Sequence, residues 1–194
     1  MTADTYSSLD LAKQSGVCWG ENNGIPEFET WQLGGADKPR GERGKWLMRK
    51  LVDHLDYVKP CKVFIEAPLP AHIASNAGHT QDTTIALNGF VMIAETVCWT
   101  RGIPTRLIVR QDALGFFTGR SRYPKGMKDA AKKACMARAL QLRWRCANWD
   151  EADAGAQWFY GCATEDPRGY ALHGVNEAAR ITGKRTKAKR GTLL

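Results

Sequence analysis

KWLMRKLVDHLDYVKPCKVFIEAP, residues 45–68, sets two elements of different period end to end. In its first part Trp46, Leu47, Leu51, Leu55 and Val58 recur at the spacing of one apolar helix face. Pro60 cannot continue a helix and stops it. CKVFIEAP then reads as a short apolar run of buried-strand type, closed by Glu66 and followed by Pro68 and Pro70. From here on the chain alternates helix with strand, which favours a sheet covered by helices.

Toward the N-terminus the pattern is different. Tyr6 to Trp19 mixes β-formers with small polar residues and predicts a strand reaching Leu11, a turn at Lys13–Gly16 and a second strand over Val17–Gly20. A third strand is expected at Glu29–Leu33 (ETWQL), before the loop GGADKPRGERG, which makes an antiparallel meander. On the C-terminal side, PLPAHIASNAGHTQDTT reads as a loop. Ile85–Thr100 is apolar nearly all round and reads as a buried helix ended by Gly102, with a strand following at Ile103–Val109. The loop GFFTGRSRYPKG leads into a helix over Met127–Arg143, and a last helix carries ADAGAQWFYGCA with Asn148 or Asp150 as N-cap. The expected class is therefore α/β: one mixed five-stranded sheet, an antiparallel meander plus parallel strands, flanked by helices on both faces. Residues 1–165 form the domain. From Asp166 to Leu194 periodicity is lost and the chain becomes a Gly-, Arg- and Lys-rich tail, with a short helix at Val175–Ile181.

A 43% hydrophobic, 25% charged chain of 194 residues has the means to build one real core, which excludes wholesale disorder. Its net charge of +8 is unevenly placed, in Arg40–Arg49, Arg120–Lys133, Arg143–Arg145 and the run KRTKAKR at 184–190. Such clusters favour a polyanionic partner, nucleic acid first. The six cysteines form no CxxC pair and no zinc spacing, and most lie in apolar runs. They read as buried reduced thiols in a reducing cytosol. Neither a signal peptide nor a membrane span is expected.

Four acids stand where chemistry would use them. Asp10 lies in the first strand, and Glu66 ends an apolar one, where an unpaired carboxylate is costly. Asp150 and Asp153 are three apart at a helix start and share a face. Such residues singly serve as caps or dipole partners. Converging, they would repel unless a cation neutralised them, and oxygen-only donors suit Mg²⁺ or Mn²⁺ and not zinc. Two ions per site would clamp a phosphodiester, and no small-molecule cofactor is called for.

In LDLAKQSGVCWG, VFIEAPLP, NAGHTQDTTIALNG, GMKDAAKKACMARALQL and above all DEADA at Asp150–Ala154, the sequence resembles the RuvC-like Holliday junction resolvases of the ribonuclease H fold, especially their phage-type members. These stretches run in family order over roughly residues 6–163. The resemblance implies Asp10, Glu66, Asp150 and Asp153 as metal ligands and catalytic residues. Lys132 or Lys133 would assist at the scissile phosphate, with the register favouring Lys133. A homodimer acting on four-way junctions and other branched DNA is implied too. GGADKPRGERG resembles a phage-type insertion, and the basic tail has no counterpart in the minimal pattern, so substrate choice is open. Two rivals stand beside this reading: a ribonuclease H cutting RNA in hybrids, and a non-catalytic DNA-binding accessory protein.

Arg120, Arg122, Lys125 and Lys128, in or next to the glycine-containing loop, are candidate phosphate contacts along with Lys132 and Lys133. Phe116 and Phe117 are candidate wedges into a junction. The seven tryptophans read chiefly as core, and His72 and His79 flank the loop that would face DNA.

Overall fold

The computed structural model describes residues 4–35, 37–70, 73, 78–120, 122–123 and 129–167. Five strands, β1 (Thr5–Asp10), β2 (Gln14–Glu21), β3 (Glu27–Gln32), β4 (Lys62–Glu66) and β5 (Thr105–Ile108), form one sheet in the order β3-β2-β1-β4-β5. β1, β2 and β3 pair antiparallel, whereas β1–β4 and β4–β5 are parallel. Five helices complete the described fold: α1 (Arg40–Val58), α2 (Gln81–Thr100), α3 (Arg110–Thr118), α4 (Ala130–Gln141) and α5 (Trp149–Glu165).

The pleat sends alternate residues to opposite faces, and each face has its own core. Leu9, Val17, Trp31, Val63 and Ile65 pack under α1 and α2, with Leu47, Leu51, Leu55, Phe90 and Ala94. Tyr6, Cys18, Phe64 and Ile108 pack under α3, α4 and α5, with Phe117, Cys135, Ala139 and Trp158. The sheet is thus covered on both sides, as the sequence predicts.

Several expectations need correction. β2 begins at Gln14, not Val17, because the Ser15 hydroxyl bonds back to Ala12 and shortens the turn. α1 starts at Arg40, taking the end of the expected loop into the helix, and α2 starts at Gln81 behind a Thr80 cap. α2 is not buried all round: Ile85, Met92 and Trp99 are exposed, so one of its apolar faces is uncovered. The sequence ends the preceding strand at Val109 and reads as a loop from Gly115, so α3 is an element it does not predict. Its sequence RQDALGFFT opens on good helix formers but closes on a glycine, two phenylalanines and a threonine, and burial of Ala113, Leu114 and Phe117 outweighs that deficit.

α3 also takes the two candidate wedges out of a loop. Phe117 is buried and stacks on Trp144 at 5.2 Å, while Phe116 packs on Phe159 and Tyr160. Phe117 is core and not available to enter a junction, and Phe116 is half-buried with its ring packed against that core. Trp31, Trp144 and Trp158 are buried as expected, but Trp46, Trp99 and Trp149 are exposed. All six cysteines are free thiols, with Cys61 the exposed one. Among the described residues no helix is long and apolar enough to cross a membrane.

Candidate active site

The two-residue period that sends Tyr6 and Phe64 to the α5 face also sends Ser8 and Asp10 of β1, and Glu66 of β4, to that face. Register brings these acids together. Leu9 pairs with Ile65 in a parallel ladder, so Asp10 and Glu66 lie one step further on, at the carboxyl ends of adjacent strands. That end of a parallel pair is where open α/β sheets commonly bind ligands.

α5 supplies the other two acids. Asn148 caps it, its side chain accepting from the Glu151 amide at 3.0 Å. Asp150, Asp153 and Gln157 follow at helical spacing on the face turned to the sheet. Gly16, opposite Asp10 across the β1–β2 ladder, lets the helix start lie directly on β2. A Cβ at Gly16 would stand 2.9 Å from the Glu151 amide nitrogen and closer still to the Asp150 carbonyl. The glycine is therefore what allows the first turn of α5 to reach Asp10.

Glu151, between the two aspartates, does different work. It is buried, accepts from Thr30 Oγ1 and the Ala147 amide at 2.6 Å each, and so fastens the α5 start to β3.

Around the acids runs a chain of polar contacts. Asp153 is buried and accepts from Arg110 Nη2 at 2.7 Å, and Arg110 Nε lies 3.9 Å from Glu66. Gln157 Nε2 donates to Glu66 Oε2 at 2.7 Å, and Ser8 Oγ donates to Gln157 Oε1 at 3.4 Å. Asp150 accepts from Gln14 Nε2 at 2.8 Å and lies 3.6 Å from Lys132 Nζ. Four carboxylates thus face two cations.

The imbalance shows in their acidity. Burial, then repulsion from Glu66 and Asp153, holds the Asp10 carboxyl well above its ordinary range. Burial pushes Glu66 up to about 7, although the Arg110 charge pulls the other way. Burial disfavours the charge on Arg110 itself, but Asp153, Glu66 and Asp10 more than offset this and keep it protonated.

Among the described residues no three Asp, Glu, His or Cys side chains are arranged to hold a metal ion as they stand, with Arg110 engaging Asp153 and Glu66. The donor chemistry nevertheless fits a hard divalent ion. All the donors are carboxylate oxygens, and burial, with mutual repulsion added at Asp10, holds the Asp10 and Glu66 carboxyls above their ordinary range, a cost that a bound cation would relieve.

Of the sequence candidates, Asp10, Glu66, Asp150 and Asp153 come to one end of the sheet. Lys132 joins them through Asp150, whereas Lys133 is exposed. Arg120 and Arg122 are exposed beyond α3, and His79 is half-buried just before the α2 cap. Lys125, Lys128, His72, residues 76–77 and the tail from residue 168, with its expected helix, lie outside the described residues. Sequence reasoning missed Arg110, Gln157 and Gln14. Gln157 carried a signal, standing four residues after Asp153 on the same helix face. Arg110 carried one too, as a charge two residues beyond the last buried position of β5.

No protein-family model and no curated protein matches the sequence. Solved structures do match its fold. Thermus thermophilus RuvC superposes with a TM-score of 0.62 at 12% identity, covering 83% of this chain and 95% of that one. The same protein in complex with Holliday junction substrate gives 0.62 at 12% identity, over 81% and 92%. The yeast mitochondrial Holliday junction resolvase Ydc2 gives 0.58 at 10% identity, over 92% and 85%. The chain has a RuvC-like fold.

Proposed function

We propose that this protein is a divalent-metal-dependent endonuclease that cuts Holliday junctions and other branched DNA. The observation that carries the reading is the convergence of Asp10, Glu66, Asp150 and Asp153, from β1, β4 and α5, at one end of a RuvC-like sheet. In this reading those four side chains hold Mg²⁺ or Mn²⁺. When bound, a pair of such ions would supply an activated water and stabilisation of the leaving 3′-oxygen.

The chain's own residues prepare the rest. Asp10, whose charge Glu66, Asp153 and Asp150 all oppose, would be the ligand shared between ions. Gln157 holds the Glu66 carboxylate in place from the buried side, and Ser8 holds Gln157. Lys132, beside Asp150, is placed to meet a phosphate oxygen as negative charge develops on it. Arg120, Arg122 and Lys133 offer exposed cations for the flanking backbone. The products would carry 5′-phosphate and 3′-hydroxyl ends.

The proposed active form is a homodimer, so that two sites nick two opposed strands. Its support in this chain is the exposed stripe Ile85, Met92 and Trp99, spaced by seven along α2.

Incubating the protein with a four-way junction, a nicked duplex and an RNA/DNA hybrid in Mg²⁺ tests the proposal. Preferential cutting of the junction is expected. Preferential cutting of RNA in the hybrid would replace it with a ribonuclease H activity on the same acids, and no cutting at all would favour a DNA-binding accessory.

A further inference from the structure

Arg110 opens α3, whose Ala113, Leu114 and Phe117 are buried in the core, so its backbone position is fixed. From there two nitrogens of one guanidinium address two different acids: Nη2 donates to Asp153 at 2.7 Å and Nε lies 3.9 Å from Glu66. Asp153 is 5% exposed, and a carboxylate so buried needs a cationic partner or a metal. Here Arg110 is that partner.

We propose that Arg110 is a built-in counter-cation, which holds Glu66 and Asp153 in the metal-free protein and competes with a divalent ion for those same two carboxylates. The inference rests on the nuclease reading and goes beyond it, because it makes Arg110 a positioning residue and a brake on metal binding. An oxygen committed to a hydrogen bond from a guanidinium is a poorer metal donor, and a divalent ion held by the same two carboxylates would be repelled by the guanidinium charge. Displaced from the acids, the guanidinium keeps its planar fork, which suits a phosphate oxygen pair as well as a carboxylate. DNA arriving at the site would therefore offer Arg110 a second partner as it leaves the first.

The test is Mn²⁺ titration by calorimetry into the metal-free full-length protein, the Arg110→Gln variant and the Arg110→Lys variant. DNA is left out, and pH 8 limits proton competition at Glu66. Arg110→Gln should bind Mn²⁺ at least about ten-fold tighter than wild type, since a competing cation is gone. Arg110→Lys should fall between the two, because a single ammonium cannot span both acids. In chelator, Arg110→Gln should melt lower than wild type, and Mn²⁺ should restore it. If Arg110→Gln folds only with metal, Arg110→Lys carries the affinity comparison. Unchanged or weaker Mn²⁺ affinity in both variants overturns the counter-cation role and leaves the nuclease reading standing. Absence of Mn²⁺ binding by all three proteins overturns the nuclease reading itself.

Discussion

Gly16→Ala is the change that separates the placement of the acids from their presence. The new methyl carbon would lie 2.9 Å from the Glu151 nitrogen and nearer still to the Asp150 carbonyl, both backbone atoms that cannot rotate away. Carbon–oxygen contacts begin at roughly 3.3 Å, so the first turn of α5 must retreat by about 1 Å. Overpacking of this kind costs about 1–3 kcal/mol of stability, which a folded domain survives. Asp150 and Asp153 ride on the turn that moves, and a misplacement of about 1 Å at a reacting centre can cost about 10²-fold in rate. Single-turnover cleavage of a labelled four-way junction, with urea unfolding of the same samples, measures both effects. Gly89→Ala is the control, since nothing lies within 4 Å of its added Cβ and it sits within α2. It should keep the wild-type rate and gain about 0.5–1 kcal/mol. A folded Gly16→Ala protein cleaving within about two-fold of wild type would refute the reasoning that this glycine sets the site.

Gln157→Leu removes the donor that orients Glu66 and should lower metal affinity or cleavage by about 10–100-fold, read by calorimetry and rate. In chelator, stability should fall between pH 6.5 and 8. Glu66 titrates near 7 when folded against 4.5 ordinarily, so the folded state holds the extra proton and loses that advantage as pH rises through 7. His54, lowered by burial to about 4, is neutral in the folded protein throughout that window, and its own destabilising effect appears only as pH falls from 6.5 through 4. Urea melts of the wild type and Glu66→Gln should therefore diverge in slope, the variant being flatter. Trp99→Asp, at an exposed site on α2, should turn a dimer into a monomer by sedimentation without unfolding it.

Much of the architecture was legible because it rests on period and punctuation. The switch from helix spacing to an apolar run at Pro60 located α1 and β4, and the meander before it with the helix–strand alternation after it pointed to a helix-covered mixed sheet. α3 was not legible, since its helix formers run only from Arg110 to Leu114 before Gly115, and only packing against Trp144, Phe159 and their neighbours makes so short a helix worth folding. That one missed element explains why Phe117 reads as a loop wedge when it is core, and why Arg110 goes unremarked. The apolar composition of α2 concealed its exposed stripe, because a helix apolar all round reads as buried whether or not something covers every face. For the acids, sequence spacing put Asp150 and Asp153 on one face but could not say that Asp10 and Glu66 share it. Strand register settles that, and register depends on pairings between residues more than fifty positions apart.

If the four acids form a metal-dependent cutting site, Asp10→Asn should abolish cleavage. Wild type and variant are compared on one four-way junction in Mg²⁺, with junction binding measured in parallel. The account predicts cleavage by the wild type that chelator stops, no cleavage by Asp10→Asn, and binding by the variant that is equal or tighter because a like charge has been removed from the cluster. Cleavage by Asp10→Asn at the wild-type rate, or wild-type cleavage that persists in chelator, would contradict it.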